Sequence, residues 1–135
     1  MSDMSPHRGG QAVGLVEHLG PVEAGAVFYL RLWCDGPEAQ LQVQRDFATA
    51  LGHNNAEHAV SAFGTLCDLC IRHGRRPLMR HAVQCKRLGS DEACFANFVG
   101  YASEGEREDA LMLAATFVRP DVAPSLVGLA QDFGL

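Results

Sequence analysis

The chain has 135 residues, enough for one domain that buries roughly two-thirds of the surface its unfolded form exposes. Hydrophobic residues make up 47% of it, which argues against global disorder. The net charge of -5 argues against general affinity for nucleic acid or membrane surfaces, since both need basic charge over a wide area.

Residues 1–20 carry no apolar run able to form a signal-peptide core and read as a loosely ordered polar tail. Apolar stretches farther along the chain, such as Ala26 to Leu30, are too short to span a bilayer. A cytoplasmic location is therefore expected. Five cysteines in a reducing compartment predict packing residues, metal ligands or redox thiols, not a disulfide framework.

From residue 21 to 135 the periodicity predicts a single all-α domain, a compact bundle of six to seven short helices. Val22, Ala26, Tyr29, Leu30 and Trp33 form the first stripe, closed by Asp35-Gly36-Pro37. Leu41, Phe47, Ala48 and Leu51 form the second, stopped by Gly52. Asn54 with Glu57 resembles a capping box for a third helix, which carries Val60, Phe63, Cys67 and Cys70 and ends at Gly74. A fourth helix is expected over Pro77 to Leu88, striped by Leu78, Ala82, Cys85 and Leu88. Ser90, Asp91 and Glu92 predict the start of a fifth, because acidic side chains complement exposed helix amides. Its core residues are Phe95, Phe98, Val99 and Ala102. A broadly apolar helix from Glu106 to Val118 follows, and a short last one presents Leu126, Leu129, Ala130 and Phe133.

Charge is distributed unevenly. Residues 1–68 hold eight acidic and three basic side chains, and residues 91–135 hold eight and two. Between them, Arg72, Arg75, Arg76, Arg80, Lys86 and Arg87 stand without a single acid from Leu69 to Ser90. Cations near helix C-termini account for Arg72, Lys86 and Arg87. Arg75, Arg76 and Arg80 would surround a helix N-terminus, where the dipole disfavours them, so they are the candidate binding residues for an anionic group or an acidic partner. Self-association with the acidic segment Glu104–Asp109 would serve equally.

The same stretch overlaps Cys67-x2-Cys70 and His81-x3-Cys85. If the third and fourth helices formed an antiparallel hairpin, these four could converge as a Cys3His zinc site, with Cys94 as a substitute ligand. Core packing is the favoured reading, because the thiols fall on apolar stripes and buried cysteine behaves as a small hydrophobe. Cys67 and Cys70 also lie late in their helix, where the dipole opposes the thiolate that redox or iron–sulfur chemistry needs. No cofactor is favoured; zinc is the alternative.

The third and fourth helices also suggest a helix-turn-helix, with Arg80 on the recognition helix. Acidic flanks and the lack of an Asn/Gln pair for adenine count against DNA binding. No nucleophile elbow, zincin, Walker or dinucleotide motif occurs, so an enzyme is not the expectation. The sequence points to a small non-enzymatic helical interaction protein. It would bind an acidic protein or anionic partner through its basic corner. A zinc module and a DNA-binding regulator are the alternatives.

Overall fold

A computed structural model of the chain describes residues 10–75 and 77–132. Six helices occupy these residues: α1 (Pro21–Cys34), α2 (Pro37–Leu51), α3 (His53–Arg72), α4 (Ser90–Ser103), α5 (Arg107–Phe117) and α6 (Ala123–Asp132). The all-α expectation holds, with one two-stranded antiparallel sheet added by β1 (Ala12–Leu15) and β2 (Arg87–Gly89). No helix among the described residues is long and apolar enough to cross a membrane.

The helices begin and end where local chemistry dictates. Pro opens both α1 and α2, where its missing N–H costs no helical hydrogen bond. Gly52 links α2 to α3 at φ 83°, in the left-handed region that other residues avoid. The expected Asn54 cap is displaced: α3 starts at His53, directly after that glycine. Phe47, Phe63, Phe95, Phe98, Leu30, Leu66 and Leu126 are completely enclosed, bringing α1, α2, α3, α4 and α6 around one core. Trp33 stands edge-on to Phe63, and its indole approaches Gly64 so closely that a Cβ there would lie 2.7 Å from it.

Two expectations fail here. Residues 12–15 are not part of a loose tail but pair with 87–89, in the register Ala12 with Gly89 and Leu15 with Arg87. Residues 1–9 of the expected tail lie outside the described residues, as does Phe133. More consequentially, Pro77 to Leu88 is not a helix. It is an extended segment with one turn, in which the Cys85 N–H donates to the Ala82 carbonyl. Ala82, expected on the buried stripe, is exposed.

The physical reason is a buried ion pair. Arg31 on α1 is 2% exposed and Glu92 on α4 is fully enclosed. They meet as a two-pronged fork, Nε donating to Oε2 at 2.7 Å and Nη2 to Oε1 at 2.8 Å. The other Arg31 N–H groups donate to the carbonyls of Val83, Cys85 and Arg87, at 3.4, 2.7 and 2.8 Å. Glu92 in turn accepts the backbone N–H groups of His81 and Gly89, while the neighbouring Asp91 accepts that of Met79. Alternate residues from 79 to 89 thus spend a backbone group on these three side chains, a spacing an extended chain supplies and a helix does not. The Lys86 carbonyl accepts from Val16, tying the same segment to the start of the chain. Helix formation would forfeit these bonds and strand the charges, so tertiary pairing overrides the local stripe.

On each helix the residue one turn away is apolar. Val27 lies four before Arg31 and Ala96 four after Glu92, and with Leu88 they form a separate buried cluster beside the ion pair. Burial by itself is the largest influence on the Glu92 carboxyl and would raise its pKa. The hydrogen bonds from Arg31, Gly89 and His81, with the Arg31 charge, outweigh it and hold the pKa below the ordinary carboxylate value.

Arg31→Met should lower unfolding free energy by about 3–5 kcal/mol in urea titrations, because it leaves an enclosed carboxylate without its cation. A depressed carboxyl contributes stability that is complete above its unfolded pKa of about 4.3 and is lost as pH falls through its folded value. Native stability should therefore drop on acidification from about pH 5 downwards, and Glu92→Gln should remove that part of the pH dependence while lowering stability at neutral pH.

Candidate binding corner

The basic residues gather where three helices present their carbonyl ends. Cys34 closes α1, Ile71 lies in the last turn of α3, and Gly74 bridges to Val118 just past α5. These ends carry partial negative charge from unpaired carbonyls. Arg80 donates from Nη2 to the Cys34 carbonyl at 3.1 Å, and Arg75 from Nε to the Ala115 carbonyl in the last turn of α5 at 2.8 Å. Arg72 stands exposed in the last turn of α3. The expected helix N-terminus beside Arg75 and Arg80 does not exist, so the dipole that was to disfavour them is replaced by three that favour them. Arg76 lies outside the described residues.

Between these ends is a cleft of about 480 Å³ lined by Cys34, Ile71, Gly74, Pro77, Leu78 and Arg80. Its apolar lining is Ile71, which is 54% exposed, with Pro77 and Leu78. Arg75 and Arg80 are exposed and each uses only part of its guanidinium on a helix end. Arg119, beyond α5, bonds the His73 ring at 3.2 Å and lies 3.5 Å from Asp121. The corner is thus an apolar slot with Arg80 in its lining and Arg72 and Arg75 on the helix ends around it. A second concavity of about 560 Å³ lies between α2 and α3, but its rim mixes Arg45 and His53 with Glu57 and selects no charge.

The thiol–imidazole set is dispersed. Cys67 and Cys70 are sealed in the main core, whereas His81 and Cys85 belong to the extended segment held by Arg31 and Glu92. Without the helical hairpin the four have no common face. Among the described residues, no group of three or more His, Cys, Asp or Glu side chains is placed to hold a metal ion. Burial pushes the Cys67 thiol well up, with neighbouring Cys70 and Cys34 adding to it, and burial followed by Cys34 pushes Cys70 up to about 12. Both side chains are thiols at neutral pH and fill space as small apolar groups. His81 Nε2 is enclosed without a hydrogen-bond partner, its ring packed where a Cβ on Gly89 would lie 3.1 Å away.

The residues that shape this corner, Arg31 and Glu92, are not marked as a pair by the sequence. One signal existed: Arg31 is the single charge between Ala26 and Cys34, on a helix otherwise apolar over that stretch. Glu92 was read as a helix-start acid, which it is. It sits at the third position of α4 and reaches back to the Gly89 N–H, and that local role masked its long-range one.

No family model, curated protein or solved structure matches the chain. What the corner does rests on its own geometry.

In the native protein a thiol reagent should reach only Cys34, Cys85 and Cys94, with Cys67 and Cys70 reacting after urea unfolding. A chelator alone should not release them. Release by chelator at native conditions would restore the zinc assignment.

Proposed function

We propose that this chain is a non-enzymatic interaction domain whose basic corner receives an acidic segment of a protein partner. One apolar side chain of the partner would seat in the Cys34–Ile71–Leu78 cleft, with flanking carboxylates set against Arg72, Arg75 and Arg80. The observation that carries this reading is the pairing of an exposed apolar slot with a rim of cations on a body of opposite net charge. An isolated cationic surface would need no apolar lining beside it, and here Ile71, Pro77 and Leu78 supply one. The arginines hold helix ends with part of each guanidinium, which fixes their position before a partner arrives and lowers the entropy lost on binding. A cytoplasmic setting belongs to this reading, because no disulfide joins the five cysteines among the described residues and a reducing compartment keeps thiols in that state.

Double-stranded DNA is the less suitable partner. The recognition helix that such a reading needs is absent, and the described cations outside the corner, such as Arg45 and Arg107, are scattered over an acidic surface.

A synthetic peptide with one Phe between Glu pairs, titrated against isotopically labelled protein, should shift the amide resonances of Ile71, Gly74, Leu78 and Arg80. Arg80→Glu should weaken it about tenfold, since it turns an exposed attraction into a repulsion. The same peptide with Lys in place of Glu should not bind. Equal binding of the two peptides, or a preference for duplex DNA over both, would remove this function.

A further inference from the structure

A second surface is organised along α5, on the side turned away from the bundle. Ala110, Ala114 and Phe117 face inward, while Met112, the central residue of the helix, is 70% exposed, more than any other large apolar side chain described. Partly exposed Leu111 and Ala115 flank it. One turn before Met112 stands Glu108, beside Asp109, and Glu104 and Glu106 continue the acidic charge upstream; exposed Arg107 stands among these four acids, which leaves the helix start net negative. Tyr101, 39% exposed, belongs to this acidic end, its carbonyl accepting the Glu106 N–H at 2.9 Å. One turn after Met112 the sign reverses. Arg75 reaches the Ala115 carbonyl from outside the helix, and exposed Arg119 follows two residues past the end of α5, with Asp121 3.5 Å from it offsetting part of its charge and Arg75 carrying the rest of the positive end.

The strip therefore reads negative, apolar, positive over a helix of about 16 Å. Such an order is complementary to itself when turned end for end. A two-fold axis through Met112 lays the acidic start of one α5 on the basic end of the other and places the two methionines in contact at the centre. A parallel pairing would set like charges together along the whole length. Self-complementarity of this kind, with an apolar side chain at the centre, fits a second copy of this chain better than an unrelated partner.

We infer that α5 is the face of an antiparallel, two-fold symmetric homodimer, with Met112 at the axis and Glu108 opposed to Arg75 of the other copy. One short helix and the ends beside it offer less area than a standard stable interface, so the dimer is weak, reversible and salt-sensitive. The surface is distinct from the Cys34–Ile71–Leu78 cleft and stands without it, although Arg75 edges both.

Sedimentation of the full chain over a range of concentrations tests this. In low salt the weight-average mass should rise from one chain towards two, and should fall back when salt is added. Met112→Lys puts two like charges on the axis at a site too exposed to disturb folding, and should leave a monomer with unchanged circular dichroism. Glu108→Arg should weaken the dimer, and adding Arg75→Glu to it should restore association by exchanging the charges across the interface. A native chain that stays monomeric in low salt near about 1 mM overturns the inference. A dimer indifferent to Met112→Lys, or a folded double variant that does not regain association, also overturns it. Failure here is separable from failure at the cleft, because Met112→Lys leaves the peptide-binding residues intact and Arg80→Glu leaves the α5 strip intact.

Discussion

The contact between Arg31 and Glu92 organises the half of the molecule that helices alone do not define. Every N–H of the Arg31 guanidinium meets an acceptor: two on Glu92 and three on the carbonyls of Val83, Cys85 and Arg87. The Glu92 oxygens meet four donors, two from Arg31 and the N–H groups of His81 and Gly89. A charge pair taken fully out of water is costly unless its remaining hydrogen-bonding capacity is met, and here it is met by the backbone of the 79–89 segment. The segment needs the pair as much as the pair needs the segment. Its carbonyls and amides would otherwise be enclosed or half-enclosed without partners.

That dependence reaches the surface. By holding residues 77–89 extended, the network stops them forming the fourth helix of a bundle and gives their last residues to a strand beside β1. Pro77, Leu78 and Arg80 then wall the cleft over the ends of α1 and α3. The basic corner is accordingly a meeting of helix dipoles: Arg75 and Arg80 are partly neutralised by the carbonyl ends of α5 and α1 that they cap, and Arg72 stands in the last turn of α3. An ordinary stabilising arrangement and a binding surface are here the same atoms, because capping one carbonyl uses only a fraction of a guanidinium.

The candidate site was half legible in the sequence. The excess of positive charge between Leu69 and Ser90 marked the corner, and Arg75 and Arg80 do stand there. Their environment differs from the expected helix start, since both sit on helix ends. Ile71, the exposed apolar residue of the cleft, gave no signal, because on the α3 stripe it resembles any other apolar position in the last turn. The cysteine pattern misled in the opposite direction. Its spacing suited two facing helices, and one of those helices does not form. Cys67 and Cys70 keep the core role their stripe implied.

The sequence by itself determined the presence and order of α1, α2, α3, α4, α5 and α6, since these combine apolar stripes with local stops or starts such as Gly36-Pro37, Gly52 or Asp91-Glu92. Those signals act within a turn or two, so the chain carries them without reference to its fold. Only the tertiary structure decided the state of residues 77–89 and of Ala12–Leu15. Leu78, Ala82, Cys85 and Leu88 have helical spacing, but the backbone there is claimed by Arg31, more than fifty residues away, and by Asp91 and Glu92 across a turn. A preference worth tenths of a kcal/mol per residue yields to an enclosed charge network worth several, and that contest is settled by which groups the fold brings together.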